Sequence, residues 1–282
     1  MLASPIKNFV LACATLVCSL FLAATPSAFA QAYPDHIIKV INPYPPGGTS
    51  DLLMRLMLPS LQERFGKTII IESHPGAAGI VGAELVARAP PDGYTLLTGT
   101  TNIFVINQFV FSKLRIDPLK AFAPIARVAD IPFVFYASNA VPANNLKEFV
   151  NWVKSNPGKV TYATSGIGTT QHLAIEQLRM RTGIDLLHLP YQGQAAAITA
   201  VLTNEVQLHP TSLSGGLTYL RTGKLKALAV LDSKRLPQLP DVPTVAENGI
   251  KLDPANWFAL VAPAGTPSSI TERWSAEVRR AL

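Results

Sequence analysis

From Tyr33 onward the chain repeats one pattern: a short β-branched run, a turn rich in Gly, Ser and Thr, then apolar residues near helical spacing. Residues 37–41 lead into PYPPGGTSD and a segment carrying Leu52, Leu53, Leu56, Leu61 and Phe65. Residues 68–72 lead into SHPGAAG and a helix through 83–87, and residues 94–97 lead into TGTTN. A second block follows the same order: 160–163, TSGIGTTQ and a helix over 172–181; 186–189, PYQGQ and a helix over 195–203; 206–209, PTSLSGG and a segment over 217–222. Alternating strands and helices predict an α/β fold with mostly parallel sheets, and two blocks predict two similar lobes. Between the blocks, 125–128 and 132–137 read as strands around a bend at Asp130-Ile131-Pro132. A later run, 257–262, is expected to return to the first lobe and to pair with 133–136, so that two crossing strands make a hinge. The expected divisions are a leader over 1–30, a first lobe over 31–130, a second over 131–250, and a return to the first over 251–282.

The N-terminus changes the setting. A lone Lys7, an apolar stretch over 9–24 and then TPSAFA form a secretory signal peptide, cut after Ala30. Val10-Leu11-Ala12-Cys13 has the look of a lipoprotein box, but the apolar run continues past Cys13. Both cysteines, Cys13 and Cys18, fall inside the leader. The mature chain then holds no disulfide, thiolate metal site or cysteine nucleophile. A periplasmic, soluble and monomeric product is expected. The net charge of +6 is spread thinly, and charged residues make up only 15% of the 282. Without a basic patch interleaved with aromatics, nucleic acid is not an expected partner.

Catalytic readings find little support in spacing, and an exported serine hydrolase is kept as an alternative function. Gly66-Lys67-Thr68 has Leu61 where a phosphate loop needs glycine, and its strand and helix come in the wrong order. Gly166 and Gly168 open a helix but lack the third glycine of a dinucleotide fingerprint. There is no G-x-S-x-G elbow, so Ser165 or Ser214 would need a base, His172 or His209, placed by the fold. The five histidines, His36, His74, His172, His188 and His209, show no metal-ligand spacing. Asp51, Asp92 and Asp117 read as cap and turn residues. Neither a cofactor nor a metal is expected.

The turns themselves offer another chemistry. In an open α/β sheet a ligand lies at the carboxyl ends of the strands, where these turns fall. Each turn presents free N–H groups and the positive end of a helix dipole, a setting for an anion. Ser50, Thr100, Thr101, Ser165, Thr169 and Thr170 add hydroxyls. Four or five charge-assisted hydrogen bonds, about 1.5–3 kcal/mol each, support micromolar binding after ordering costs.

The blocks PYPPGGTSD, HPGAAG, ARAPPDGYTLL, YATSGIG, LPYQG, GKLKALAV, LPDVPTVAENG and WFALVAPAGTP resemble the tripartite tricarboxylate transporter substrate-binding family, the Bug or TctC receptors. The resemblance runs from Tyr33 to the end. It implies a two-lobed periplasmic binding protein of the Venus-flytrap, type II-like form, with a ligand cleft between the lobes. It implies no catalysis, a small carboxylated ligand, and delivery to membrane transporter subunits; docking on a sensor kinase is the alternative partner. The ligand residues it implies are Pro46, Gly47 and Gly48; Gly76, Ala77, Ala78 and Gly79; Thr100 and Thr101; Ser165, Gly166 and Thr169; Tyr191, Gln192 and Gly193; and Thr211. The chain departs from the family's pattern in having Thr49 and Ala78 where glycines are usual, and no acidic residue near Thr211. The last departure favours a plain carboxylic acid over an amino acid. The chain also stops at Leu282, where the resemblance implies further helices on the first lobe, with exposed apolar surface as the expected cost.

Overall fold

The structure, a computed structural model, describes residues 33–252 and 256–282. The predicted leader and its cleavage site lie outside the described residues. Two five-stranded sheets make up the body His36–Leu282. The first contains β1 (Ile38–Asn42), β2 (Ile69–Ser73), β3 (Thr95–Thr100), β4 (Phe122–Asp130) and β10 (Trp257–Pro263), in the order β2-β1-β3-β10-β4. The second contains β5 (Phe133–Ser138), β6 (Thr161–Thr164), β7 (Leu187–Pro190), β8 (Leu208–Ser212) and β9 (Leu225–Leu231), in the order β7-β6-β8-β5-β9. The two lobes thus share one topology, that of a periplasmic binding protein.

The sheets are mixed rather than mostly parallel. β1 runs parallel to β2 and β3, and β6 to β7 and β8. β10 is antiparallel to β3 and β4, and β5 to β8 and β9. The crossings explain this. β4 ends at the cleft with Asp130, and Phe133 already begins β5 in the other lobe. A strand that enters a lobe from the cleft must run against strands whose carboxyl ends point to the cleft. β10 enters the first lobe the same way. It therefore does not pair with residues 133–136 as the sequence suggested. β10 instead pairs with β4, and at the hinge itself Ile131 N–H donates to Asn256 O (2.8 Å) and Asn256 Nδ2 to Ile131 O (3.2 Å).

Helices cover both faces of each sheet. In the first lobe, α1 (Thr49–Phe65) and the C-terminal helix α8 (Ser268–Ala281) pack together, with Phe65 and the buried Trp274 4.3 Å apart between ring centres. α1 buries Met54, Met57, Leu61 and Phe65 and leaves Leu52 and Leu56 exposed, so Leu61 and Phe65 of the residues marked in the sequence face inward while Leu52 and Leu56 do not. α2 (Ile80–Ala87) covers the other face through Ala83 and Val86, against Ile41, Leu97 and Val261. In the second lobe, α4 (Leu146–Lys154) and α5 (Thr170–Thr182) bury Phe149, Val153, Ile175 and Leu178 on one face. On the other face, α6 (Gln194–Leu202) buries Ala197 and Val201 beside Val134 and Tyr136, and α7 (Leu213–Arg221) packs its Leu213 and Leu217 there. A further short helix, α3 (Asn107–Val110), continues a π turn over Asn102–Ile106. Among the described residues no helix is long and apolar enough to cross a membrane.

His209 lies fully buried in β8, opposite Tyr136. Its Nδ1 donates to Ala163 O at 2.9 Å, and its Nε2 has no partner. Burial pushes its pKa down from 6.5 to about 4. Folding therefore favours the neutral ring, and the unfolded chain binds the extra proton between those values. Stability is full above pH 6.5 and falls as the pH drops towards 4, on the order of 3 kcal/mol from this residue. Urea unfolding at pH 7 and pH 4.5 measures the loss, and His209→Leu should flatten that dependence. An equal pH dependence in the variant would place the titrating group elsewhere.

Candidate functional site

A cavity of about 390 Å3 opens between the two sheets, at the carboxyl ends of β1, β3, β6 and β7. That volume suits a small molecule, for which clefts of roughly 300–1,000 Å3 are usual. Its polar walls are the predicted turns. Pro46, Gly48, Gly76, Ala77, Ala78, Gly79, Thr100, Ser165, Gly166, Thr169, Tyr191, Gln192 and Gly193 all line it. Gly47, Thr101 and Thr211 do not, and each has another task. Gly47, at φ +79°, turns the chain and donates its N–H to Asp51 Oδ2 at 2.9 Å, an oxygen that Arg55 also binds. Thr101 Oγ1 accepts from the Trp257 N–H of β10 at 3.1 Å. Thr211 is fully buried, and its hydroxyl accepts from the Gln194 amide.

The lobes touch directly across this cavity. Asn102, just beyond β3, is buried; its Nδ2 donates to Gly168 O (2.9 Å), and its Oδ1 accepts from Thr170 N (3.1 Å) and Thr170 Oγ1 (2.7 Å). Thr49 closes a three-membered ring with the second lobe. Its hydroxyl donates to Gln194 Oε1 (3.2 Å), Gln194 Nε2 donates to Ser212 Oγ (3.1 Å), and Ser212 Oγ completes the cycle to Thr49 Oγ1 (2.9 Å). Gly193, at φ +96°, lies so near the opposite lobe that a Cβ there would meet Pro45 Cγ at 2.9 Å. These contacts hold the two lobes together across the cavity. Sequence reasoning did not single out Asn102 and Gln194, although each is the last residue of a turn it had marked.

The helix N-termini are not equivalent. Thr169 caps α5 by accepting from His172 N (3.3 Å), and Asn102 takes the Thr170 N–H. By contrast α1 follows Gly48 and α6 follows Gly193, neither with a side-chain cap. The N–H groups of Thr49, Ser50, Gln194 and Ala195 have no acceptor among the described residues. Each pair carries the positive end of a helix dipole, and all four residues line the cavity. No Asp, Glu, Lys, Arg or His is among the lining residues. Tyr44 and Tyr191 are there and stay neutral, each pushed up to about 12 chiefly by burial. The result is a neutral cavity with donors for an anion.

No serine in the cleft has a catalytic base. His172 Nδ1 accepts from Gly168 N at 3.1 Å, its Nε2 faces Glu176 at 3.8 Å, and its ring stacks on His188. That leaves no nitrogen for Ser165. Burial lowers the pKa of both rings, His188 to about 4, so they sit neutral behind the Ser165–Thr169 turn as a support. His209 is held in the core by Ala163 O, and Ser214 Oγ meets only Ser212 Oγ, at 3.2 Å. No cluster of potential metal ligands occurs among the described residues.

A family model described as the tripartite tricarboxylate transporter family receptor, TctC, matches residues 53–282. The chain belongs to this family. A UPF0065 protein of Bordetella pertussis is 38% identical over 92% of this chain and 80% of its own length. Two solved structures superpose closely. An R. palustris protein with adipate has a TM-score of 0.85 at 31% identity, covering 87% of this chain and 83% of that one. MatC of Rhodopseudomonas palustris with bound malate has a TM-score of 0.82 at 31% identity, covering 88% and 85%.

This TctC chain holds strain at its second turn. Ala77 and Ala78 adopt φ of +46° and +52°, in the left-handed region that costs a residue with a Cβ roughly 1–2 kcal/mol. Both line the cavity, and Asn107 Nδ2 holds Ala78 O at 3.2 Å. Backbone strain of this kind persists where the surroundings impose it, commonly at a binding site. Ala78→Gly should raise stability by about 1 kcal/mol in chemical unfolding; a loss instead would mean that the methyl packs favourably. Asn102→Ala strands the Thr170 and Gly168 groups in a buried position, a cost of about 1–3 kcal/mol to closure. Scattering should show a larger radius of gyration for the ligand-free variant, and ligand affinity should fall roughly tenfold or more. An unchanged radius together with unchanged affinity would remove Asn102 from the closure mechanism.

Proposed function

We propose that this chain is a periplasmic receptor that closes its lobes on a small carboxylate and delivers it to a membrane transporter of the tripartite tricarboxylate type. The observation that carries this reading is the neutral cavity bordered from both lobes by uncapped helix N-termini. A carboxylate is acceptor-only and matches those free N–H groups; the dipole ends at α1 and α6 supply positive potential without a lysine or arginine. Adipate and malate in the two solved relatives support the same class of ligand. The leader residues 1–30, read from the sequence, support export.

The proposed ligand contacts are the N–H groups of Thr49, Ser50, Gln194 and Ala195, the turn Gly76–Gly79, and the hydroxyls of Thr100 and Ser165. Closure excludes water from the site and offers the transporter a surface that the open receptor does not display. Binding needs no chemistry, and the placement of His172 and His209 away from Ser165 and Ser214 supports a receptor over a hydrolase.

Thermal melting against mono-, di- and tricarboxylates tests the reading. A ligand at a hundred times its dissociation constant adds about 2.7 kcal/mol, a rise of roughly 5–10 °C for a chain of this size. No shift with any acid, combined with ester hydrolysis lost in Ser165→Ala, would replace the receptor by an enzyme.

A further inference from the structure

Most polar side chains of the cavity are engaged within the protein; Ser165 Oγ, the Gln192 amide and Asn256 Oδ1 are the exceptions. Thr49 and Gln194 belong to the ring with Ser212. Asn102 uses both ends of its amide on Gly168 and Thr170. The hydroxyls of Tyr44 and Thr100 bind each other at 2.5 Å. Thr169 Oγ1 donates to Gly166 O at 2.9 Å, and Gln171 Oε1 accepts from Ser165 N at 2.7 Å. The open capacity that remains is weighted towards backbone N–H groups, which are donors. A ligand oxygen that only accepts is well served; a ligand O–H or N–H meets few open acceptors.

The remaining flank is apolar apart from Asn256. Ile131 and Phe133 come from the first crossing, Phe258 from the second, and Phe111 from the segment after α3. Phe133 and Phe258 are both buried, so this wall belongs to the hinge and does not move away into solvent. Ile167, more than half exposed, extends the apolar surface from the second lobe.

Resting on the receptor reading above, we propose that the ligand is a carboxylic acid whose body carries no hydroxyl or ammonium group: an unsubstituted aliphatic or aromatic mono- or diacid. The acid group takes the open N–H groups, and the body lies on the wall of Ile131, Phe133 and Phe258. An added hydroxyl or ammonium on that body is desolvated with few partners, and apolar pockets reject an added hydroxyl by up to roughly a hundredfold. A third carboxylate has no cation to meet it in a cavity of neutral residues.

Calorimetric titration of the purified mature protein with two matched series tests this. The series are succinate, malate and aspartate, then adipate, 2-hydroxyadipate and 2-aminoadipate, with citrate and benzoate as further probes. The unsubstituted member of each series should bind at least tenfold more tightly than its hydroxy and amino partners, with citrate weakest. Equal or tighter binding of the substituted members overturns this proposal while leaving the carboxylate receptor intact. Silence from every acid overturns both. Ile131→Thr, which sets a hydroxyl in the wall, should narrow the gap between adipate and 2-hydroxyadipate to within about threefold, and Phe133→Tyr is the second variant should that chain not fold. An undiminished gap in a folded variant overturns the role of the wall.

Discussion

A strand that turns directly into a helix must leave the first N–H groups of that helix without an intrahelical acceptor. The rest of this molecule is arranged around where those groups point. At α5 and α7 the protein satisfies them itself, through the Thr169 and Ser212 hydroxyls and the Asn102 amide. At α1 and α6 it leaves them open, and both helices face the same cavity from opposite lobes. Glycine precedes each open helix, and at Gly193 a side chain would crowd the other lobe, because Pro45 occupies the space its Cβ would need.

Closure and binding are then two aspects of one contact. Thr49 contributes an open N–H to the cavity and a hydroxyl to the ring that joins the lobes. Asn102 joins the end of β3 to the first turn of α5. Because these bonds run between lobes, part of the free energy of closure comes from the protein and only part from the ligand. The hinge is narrow by comparison: Ile131 and Asn256 tie the two crossings while β5 and β10 are each anchored inside a different sheet. Two rigid sheets on a short hinge move as bodies, so a few bonds at the cleft decide their relative position.

Much of this was legible in the residues. The alternation of β-branched runs and helices marked every strand of both lobes' parallel portions, and the Gly/Ser/Thr turns marked the polar walls of the cavity. The pairing of 257–262 was misjudged because strand runs carry no record of their partner; direction of entry from the cleft decides it. Leu52 and Leu56 of α1 misled for a related reason: they stay outside while Met54 and Met57 join Leu61 and Phe65 in the interior, so hydrophobic spacing gave the helix but only part of its face. Thr211 and Gly47 were read as ligand residues from a motif, yet their hydrogen bonds are used within the protein. SLSGG read as loop because of its glycines. There Ser212 caps a helix, and Gly216 leaves room for the Tyr136 ring. The apolar hinge wall of Ile131, Phe133 and Phe258 had no periodic signal, since it assembles from two crossings distant in the chain.

The central claim is that one anion is held by backbone N–H groups of both lobes at once. Amide proton–nitrogen correlation spectra of the protein, recorded as adipate is added, address those groups individually. The account predicts that Thr49, Ser50, Gln194 and Ala195 shift together with a single saturation curve. Shifts confined to one lobe, or centred on a lysine or arginine side chain away from the cleft, would contradict it.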